Sequence, residues 1–222
     1  LTLPPRARDL NDVVENVSNA GSVVRGAFHV HTNQSDGGGT LDEVSAAAAV
    51  AGLDFVILTD HGDGTRGAKA SYRDGVLMVE GVEISSDGGH YIAVGMQPTP
   101  YRLGGDARGV VEDVRRFGGF GVVAHPTSLR EELRWTNWGL AVDGVEWLNG
   151  DSQWRDDGIV ALFGAGIRYW FRPVESLALL LRRPVAALAR WDVTLRDRVT
   201  VGLGGSDAHA RLATGVEDDG YA

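Results

Sequence analysis

Phe55-Val56-Ile57-Leu58-Thr59-Asp60-His61 sets four apolar residues in a row and then runs out into a hydroxyl, a carboxylate and an imidazole. A short unbroken apolar run is how a strand buried on both faces of a parallel sheet reads. The pattern recurs along the chain. Val23 leads to His31, Val76-Leu77-Met78-Val79 to Glu83, Phe120 to Ala124 and then His125, Gly144 to Leu148 and then Asn149, and Val199 to Leu203 and then Asp207 and His209. Helical segments lie between these runs. Thr40-Leu41-Asp42-Glu43 has the form of a capping box, and Val44, Ala47, Ala48 and Ala51 then fall on one helical face closed by Gly52. Asp106 to Phe117 ends at Gly118, and Pro184 to Asp197 carries proline at its first turn. Strands alternating with helices predict an α/β fold with a mostly parallel sheet. Polar residues gather at the carboxyl ends of the strands, where a β/α barrel keeps its active site.

The 222 residues suit a single domain over residues 22–222, preceded by a lead-in at 1–21 that has two prolines and little periodicity. The net charge is −9 and the 21 basic residues are scattered, so no stable nucleic-acid complex is expected, although a nucleotide or a strand end stays open as a substrate. The absence of cysteine excludes disulfides, thiolate metal sites and cysteine nucleophiles. Gly158 to Ile167 is the longest uncharged apolar-rich stretch and is too short to span a bilayer. The sequence opens at Leu1, so a leader is not legible; the cytoplasm is the default compartment, with export open, and no oligomeric state can be read.

His29-Val30-His31 places two imidazoles on one face of a strand, about 7 Å apart, close enough to share an ion. Alone this pattern is common on solvated strands. The chain, however, has six histidines, His29, His31, His61, His90, His125 and His209, each at or beside the end of a predicted strand. Asp36, Glu83 and Asp207 occupy matching places. Imidazole and carboxylate without thiolate suit zinc, manganese or iron. Each residue also has a plainer reading. Asp36 before three glycines is by itself a turn, and Asp60 reads as holding a histidine in place rather than as a ligand. Glu83 resists such a reading, because an unpaired carboxylate on an apolar strand is costly.

Together these residues resemble the PHP (polymerase and histidinol phosphatase) superfamily. The likeness rests on His29-Val30-His31 with Ser35-Asp36-Gly37, Thr59-Asp60-His61, Gly81-Val82-Glu83-Ile84-Ser85, Ala124-His125-Pro126 and Gly205-Ser206-Asp207-Ala208-His209, in the family's order over residues 26–210. The Gly144 to Asn149 strand and the following Gly150 to Arg155 resemble the branch of metallohydrolases that includes carbaryl hydrolase. The resemblance implies a distorted, TIM-like β/α barrel of seven strands holding two or three divalent ions (Mn, Zn or Fe). Carried over by position, His29, His31, Glu83 and Asp207 would hold one ion. Glu83 would bridge to a second with His90 and His125, and Asp36, His61 and His209 would hold a third. The implied activity is that of a phosphoesterase using a metal-bridging hydroxide on a small phosphorylated substrate, with Glu83, Asp207 and His209 as catalytic residues and a proton for the leaving group from water, His209 or Asp207. A carboxyl or carbamate ester hydrolase with the same site, and a non-catalytic binding module, are the alternatives.

Arg66, Lys69, Arg130, Arg134 and Arg155 follow predicted strand ends and are candidates to grip a phosphate, although most surface arginines are only solvated. Trp135, Trp138, Trp147 and Trp154 either line a cleft or pack in the core. The apolar helices from Ile159 to Trp191 are expected to pack in the core, ahead of forming a partner surface or a flap.

Overall fold

The computed structural model describes residues 23–155 and 159–210. The lead-in at 1–21, Gly158 and the polar end from Val216 lie outside them. Strand β1 (Gly26–Val30) is followed by α1 (Leu41–Val50), β2 (Phe55–Leu58), β3 (Ala70–Arg73), β4 (Val76–Ser86) and β5 (Gly89–Val94). Next come α2 (Ala107–Arg116), β6 (Phe120–Val123), β7 (Gly144–Asn149), α3 (Gly150–Arg155), α4 (Ile159–Tyr169), α5 (Pro173–Ala178), α6 (Val185–Asp197) and β8 (Val201–Gly205).

Seven strands form a nearly closed ring in the order β1-β2-β4-β5-β6-β7-β8, with β3 a hairpin partner outside the ring on β4. The seam between β1 and the end of β8 is bridged where Ser206 N–H donates to Phe28 O (2.8 Å) and His31 N–H to Ala208 O (2.9 Å). Within the ring the ladders are parallel except on either side of β5, which runs against both β4 and β6. This reversal carries the start of β5, with His90, to the rim formed by the ends of the other strands.

Strand β4 is longer than its apolar start implies. It pairs with β2 through Glu80 and with β5 from Gly81, so Glu83 lies inside the strand, opposite Ile92, rather than beyond its end. Gly81 sits at the change of neighbour, where a Cβ would come within 2.8 Å of Ala93 O. In β1, the register shifts between Phe28 and Val30, and His29 between them has φ +65°. This bulge separates two residues that a regular strand would put on one face. Phe28 packs inside the barrel against Ile92, Val122 and Ala124, whereas Val30 packs outward with Val56, Leu58 and Met78 against α1.

Helix α1 begins as expected, with Thr40 and Glu43 capping each other's backbone N–H groups. Its inward face differs from the sequence reading: Ser45 and Ala48 are buried, while Ala47 and Ala51 are exposed. Helix α2 turns Val110, Val111 and Val114 onto the larger core cluster, where Trp135 is buried and Trp138 packs at the edge. The expectation of core packing fails for α4 and α5. Phe163, Trp170, Phe171 and Val174 are about two-thirds exposed or more, and among the described residues of these two helices Ala165 and Ser176 are the buried ones.

Because a methyl group at position 81 meets backbone rather than a movable side chain, Gly81→Ala should lower stability by about 1–3 kcal/mol. Urea unfolding of the two proteins measures this, and an unchanged midpoint would show that β4 does not need the close approach.

Candidate metal centre

All nine residues singled out as ligands meet at the rim. His29 comes from β1, His31 and Asp36 from the loop after it, and His61 from the end of β2. Glu83 and His90 face each other from β4 and β5, His125 follows β6, and Asp207 and His209 follow β8. Their ligand atoms fall into four overlapping groups, each within 4.8 Å: His31, Asp36, His61 and His209; His29, His125 and Asp207; His29, His31 and Glu83; His61, Glu83 and His90.

Glu83 divides the cluster. Its Oε2 lies 3.2 Å from both His29 Nε2 and His31 Nε2. Its Oε1 lies 2.9 Å from both His90 Nδ1 and His125 Nε2. Asp207 Oδ1 closes the first side, at 3.1 and 3.3 Å from the same two nitrogens of His29 and His31. On the open side, His209 Nε2 lies 2.9 Å from Asp36 Oδ2, and His61 Nε2 lies 3.8 Å from it. His31 Nε2 is fully buried yet makes no hydrogen bond, although two carboxylate oxygens lie close by. A buried imidazole nitrogen left without a hydrogen bond among converging carboxylate oxygens is what a shared cation would satisfy, so the donor set fits divalent metal.

The electrostatics agree. Burial pulls the His31 imidazole down, but the carboxylates of Asp207, Asp36 and Glu83 outweigh it and push the pKa up to about 11. His29 is likewise raised against its burial by Asp207, Glu146 and Glu83. Burial would raise Glu83, yet the imidazoles of His29, His125 and His31 hold it well below the carboxylate range. His61 goes the other way, since burial and the neighbouring His31 and His90 lower it to about 4. Three buried or half-buried carboxylates thus demand positive charge, which either protons on imidazole or metal ions supply.

Backbone strain marks the same residues. His29, His125 and Asp207 all have positive φ, at +65°, +25° and +50°, a region costly to residues with a Cβ. What holds two of them is Glu146, which the sequence reading passed over. It is fully buried on β7, accepts from His29 Nδ1 (2.9 Å) and from the His125 backbone N–H (2.6 Å), and also accepts from Asn149 Nδ2 (2.9 Å). Asn149 Nδ2 in turn donates to Asp207 Oδ2 at 3.0 Å. With Nδ1 donating to Glu146, loss of the second proton would leave the His29 lone pair on Nε2, facing the cluster. Gly205 makes room, since a Cβ there would fall 1.6 Å from Glu146 Oε1. The signal was available, because a carboxylate inside the apolar run Gly144 to Leu148 poses the same cost that drew attention to Glu83. Asp60 braces the loop rather than a ring, accepting from Thr32 N–H and hydroxyl (both 2.7 Å) and from the Ser35 hydroxyl (2.6 Å).

Beside the centre is a cavity of about 690 Å³ lined by His61, Gln34, Arg66, Glu80 and Arg102 among others. Arg66 is therefore within reach of a ligand, whereas Lys69, Arg130, Trp154 and Arg155 do not line this space. Lys69 supports the β3–β4 edge through its carbonyl. Arg130 lies exposed after the His125 turn. Trp154 and Arg155 stack on each other and share Asp151 on α3.

Two predictions follow from this geometry. All three groups that approach Glu146 donate to it, so Glu146→Gln must turn an N–H₂ toward a donor and should weaken zinc affinity by roughly 10–100-fold. Calorimetry on the variant, with thermal unfolding of the ion-free protein as a check on folding, measures it; unaltered affinity would make Glu146 merely structural. Because His29 and His31 are proton-bound at neutral pH in the ion-free protein, zinc must displace those protons, and its affinity should rise with pH. The binding enthalpy should then vary with the ionisation enthalpy of the buffer; a buffer-independent value would contradict this.

No family profile and no curated protein matches the sequence. Among solved structures, the chain is similar to a two-domain protein from Bacteroides vulgatus containing a PHP-like domain predicted to be a metal-dependent phosphoesterase, at 20% identity and a TM-score of 0.52. That likeness covers 84% of this chain and 52% of the other, so this chain spans about half the length of that protein. A candidate metal-dependent phosphoesterase from Bifidobacterium adolescentis is 14% identical with a TM-score of 0.56, covering 89% of this chain and 94% of its own. Endonuclease Q of Pyrococcus furiosus overlaps 56% of this chain at a TM-score of 0.40, too little to bear on the argument. The likeness is one of architecture: the chain has the distorted β/α barrel of PHP-like proteins.

Proposed function

We propose that the chain is a metal-dependent hydrolase of the PHP superfamily, a phosphoesterase acting on a small anionic phosphate ester with two or three divalent ions of the Mn, Zn or Fe type. One observation carries the reading: Glu83 is buried, with one oxygen on His29 and His31 and the other on His90 and His125, the arrangement of a carboxylate shared between two ions. His29, His31, Glu83 and Asp207 would hold one ion and Glu83, His90 and His125 the second, while Asp36, His61 and His209 form a third, more open place. Bound there, the ions would supply Lewis acidity toward the phosphoryl oxygens and an acidified water as nucleophile.

The protein's own residues do the rest. With its ions bound, the rim would be locally cationic on an otherwise acidic chain. The adjoining cavity, at about 690 Å³, suits a metabolite-sized substrate rather than a duplex, and Arg66 faces it, placed to fix an anionic group by paired N–H donors. Among the candidate acids, His209 is the more accessible, its side chain 21% exposed against 8% for Asp207. Burial lowers the pKa of its imidazole, but the hydrogen bond to Asp36, helped by the Asp207 charge, outweighs this and raises it above the usual histidine value. With two ions bound, His209 would be placed to donate to the leaving oxygen; with three, it would serve as a ligand and water would take that role.

The test is the initial rate of the manganese-loaded protein on an aryl phosphate and on the matching aryl N-methylcarbamate, with His125→Ala and Glu83→Gln as controls. The phosphate should turn over faster, and both controls should lose at least a hundredfold, on the order of one positioned catalytic group. Faster carbamate turnover would replace the phosphoesterase with an ester hydrolase on the same site. Metal uptake without control-sensitive turnover of either ester would favour a binding module.

A further inference from the structure

We propose that the α4–α5 hairpin is a docking surface for a bilayer containing anionic phospholipid. On α4 and the residue after it, Phe163, Ile167 and Trp170 follow steps of four and three, which put them on one helical face. They are 72%, 39% and 87% exposed. Phe171, Val174, Leu177 and Leu181 continue the apolar surface at 70%, 67%, 53% and 48%. An apolar surface of this extent is rare on a protein that meets only water. Helix α4 packs against α5, and α5 is six residues long, about 9 Å, so the turns at its two ends are neighbours.

Charge identifies the occupant. Both turns pair apolar residues with arginine, as Arg168-Tyr169-Trp170-Phe171-Arg172 and as Leu179-Leu180-Leu181-Arg182-Arg183. Across the hairpin and its two turns, from Ile159 to Arg183, there are four arginines against one carboxylate, in a chain whose net charge is −9. The most apolar surface is therefore also basic, on a protein that is elsewhere acidic. A second copy docked on this surface would set arginine against arginine, which like-charge repulsion disfavours. Lipid phosphate accepts from arginine while tryptophan, tyrosine and phenylalanine settle at the headgroup boundary, and the acidic remainder is turned away from the anionic surface. The most exposed ring, Trp170, stands at the turn between the helices, a projecting tip rather than the wall of a groove. Among the described residues no helix is long and apolar enough to cross a membrane, so the hairpin would lie on the bilayer.

Co-sedimentation of the full chain with vesicles tests this, using three parts phosphatidylcholine to one part phosphatidylglycerol against phosphatidylcholine alone, at low and high salt. Binding is expected to the anionic vesicles only, and should be weakened by salt. The double changes Trp170→Ser with Phe171→Ser and Arg182→Glu with Arg183→Glu should each reduce it roughly tenfold or more. Both variants alter exposed residues away from the metal centre, and unchanged thermal unfolding and zinc content would show that they remain folded. Absence of binding by the folded wild type, or equal binding to both vesicle types, would overturn the proposal. So would a dimer in light scattering that the Trp170→Ser, Phe171→Ser variant dissolves while vesicle binding is absent, since the occupant would then be a second copy.

Discussion

The structure depends on a carboxylate that has no business in an apolar strand. Glu83 sits 1% exposed in β4 between two sets of imidazoles. Burying such a charge costs several kcal/mol unless positive charge faces it. His29 and His31 face one oxygen and His90 and His125 the other, so neither set is dispensable to the carboxylate and the carboxylate is not dispensable to them. Four strands, β1, β4, β5 and β6, are fixed relative to one another by that mutual requirement. The reversed direction of β5 follows the same logic, because only a strand entering from the rim brings His90 to Glu83 at its second residue.

Positioning by strain is the second constraint. Three ligand candidates, His29, His125 and Asp207, adopt left-handed backbone conformations, which the surrounding structure must enforce. Glu146 and Asn149 on β7 supply the enforcement, reaching His29, the His125 backbone and Asp207 from one strand. The bulge at His29 has a use beyond tolerance. It lets Phe28 fill the barrel and His29 reach the rim, while Val30 seals α1 to the sheet.

Much of this was legible in the sequence, and the limits of legibility have physical causes. Apolar runs ending in polar residues located β1, β2, β6, β7 and β8, although β8 itself is only partly buried. The ligand candidates were visible because histidine and carboxylate at strand ends carry a cost that chemistry alone explains. The full extent of β4 was hidden, since its second half alternates partly polar residues and ends at a hairpin. Glu146 went unread although it shares the logic of Glu83, because no histidine adjoins it in sequence; its partners are brought to it only by the sheet. The exposure of α4 and α5 ran against their composition. Hydrophobicity predicts that a segment seeks an apolar neighbour but not whether that neighbour belongs to the same chain.

The proposed function turns on Glu83 standing between two metal ions. Diffraction from manganese-soaked crystals, with data collected on both sides of the manganese absorption edge, tests it most directly. The account predicts at least two anomalous peaks flanking the Glu83 carboxylate, about 3.5–4 Å apart, one beside His29 and His31 and one beside His90 and His125. A single peak remote from Glu83, or none, would contradict it.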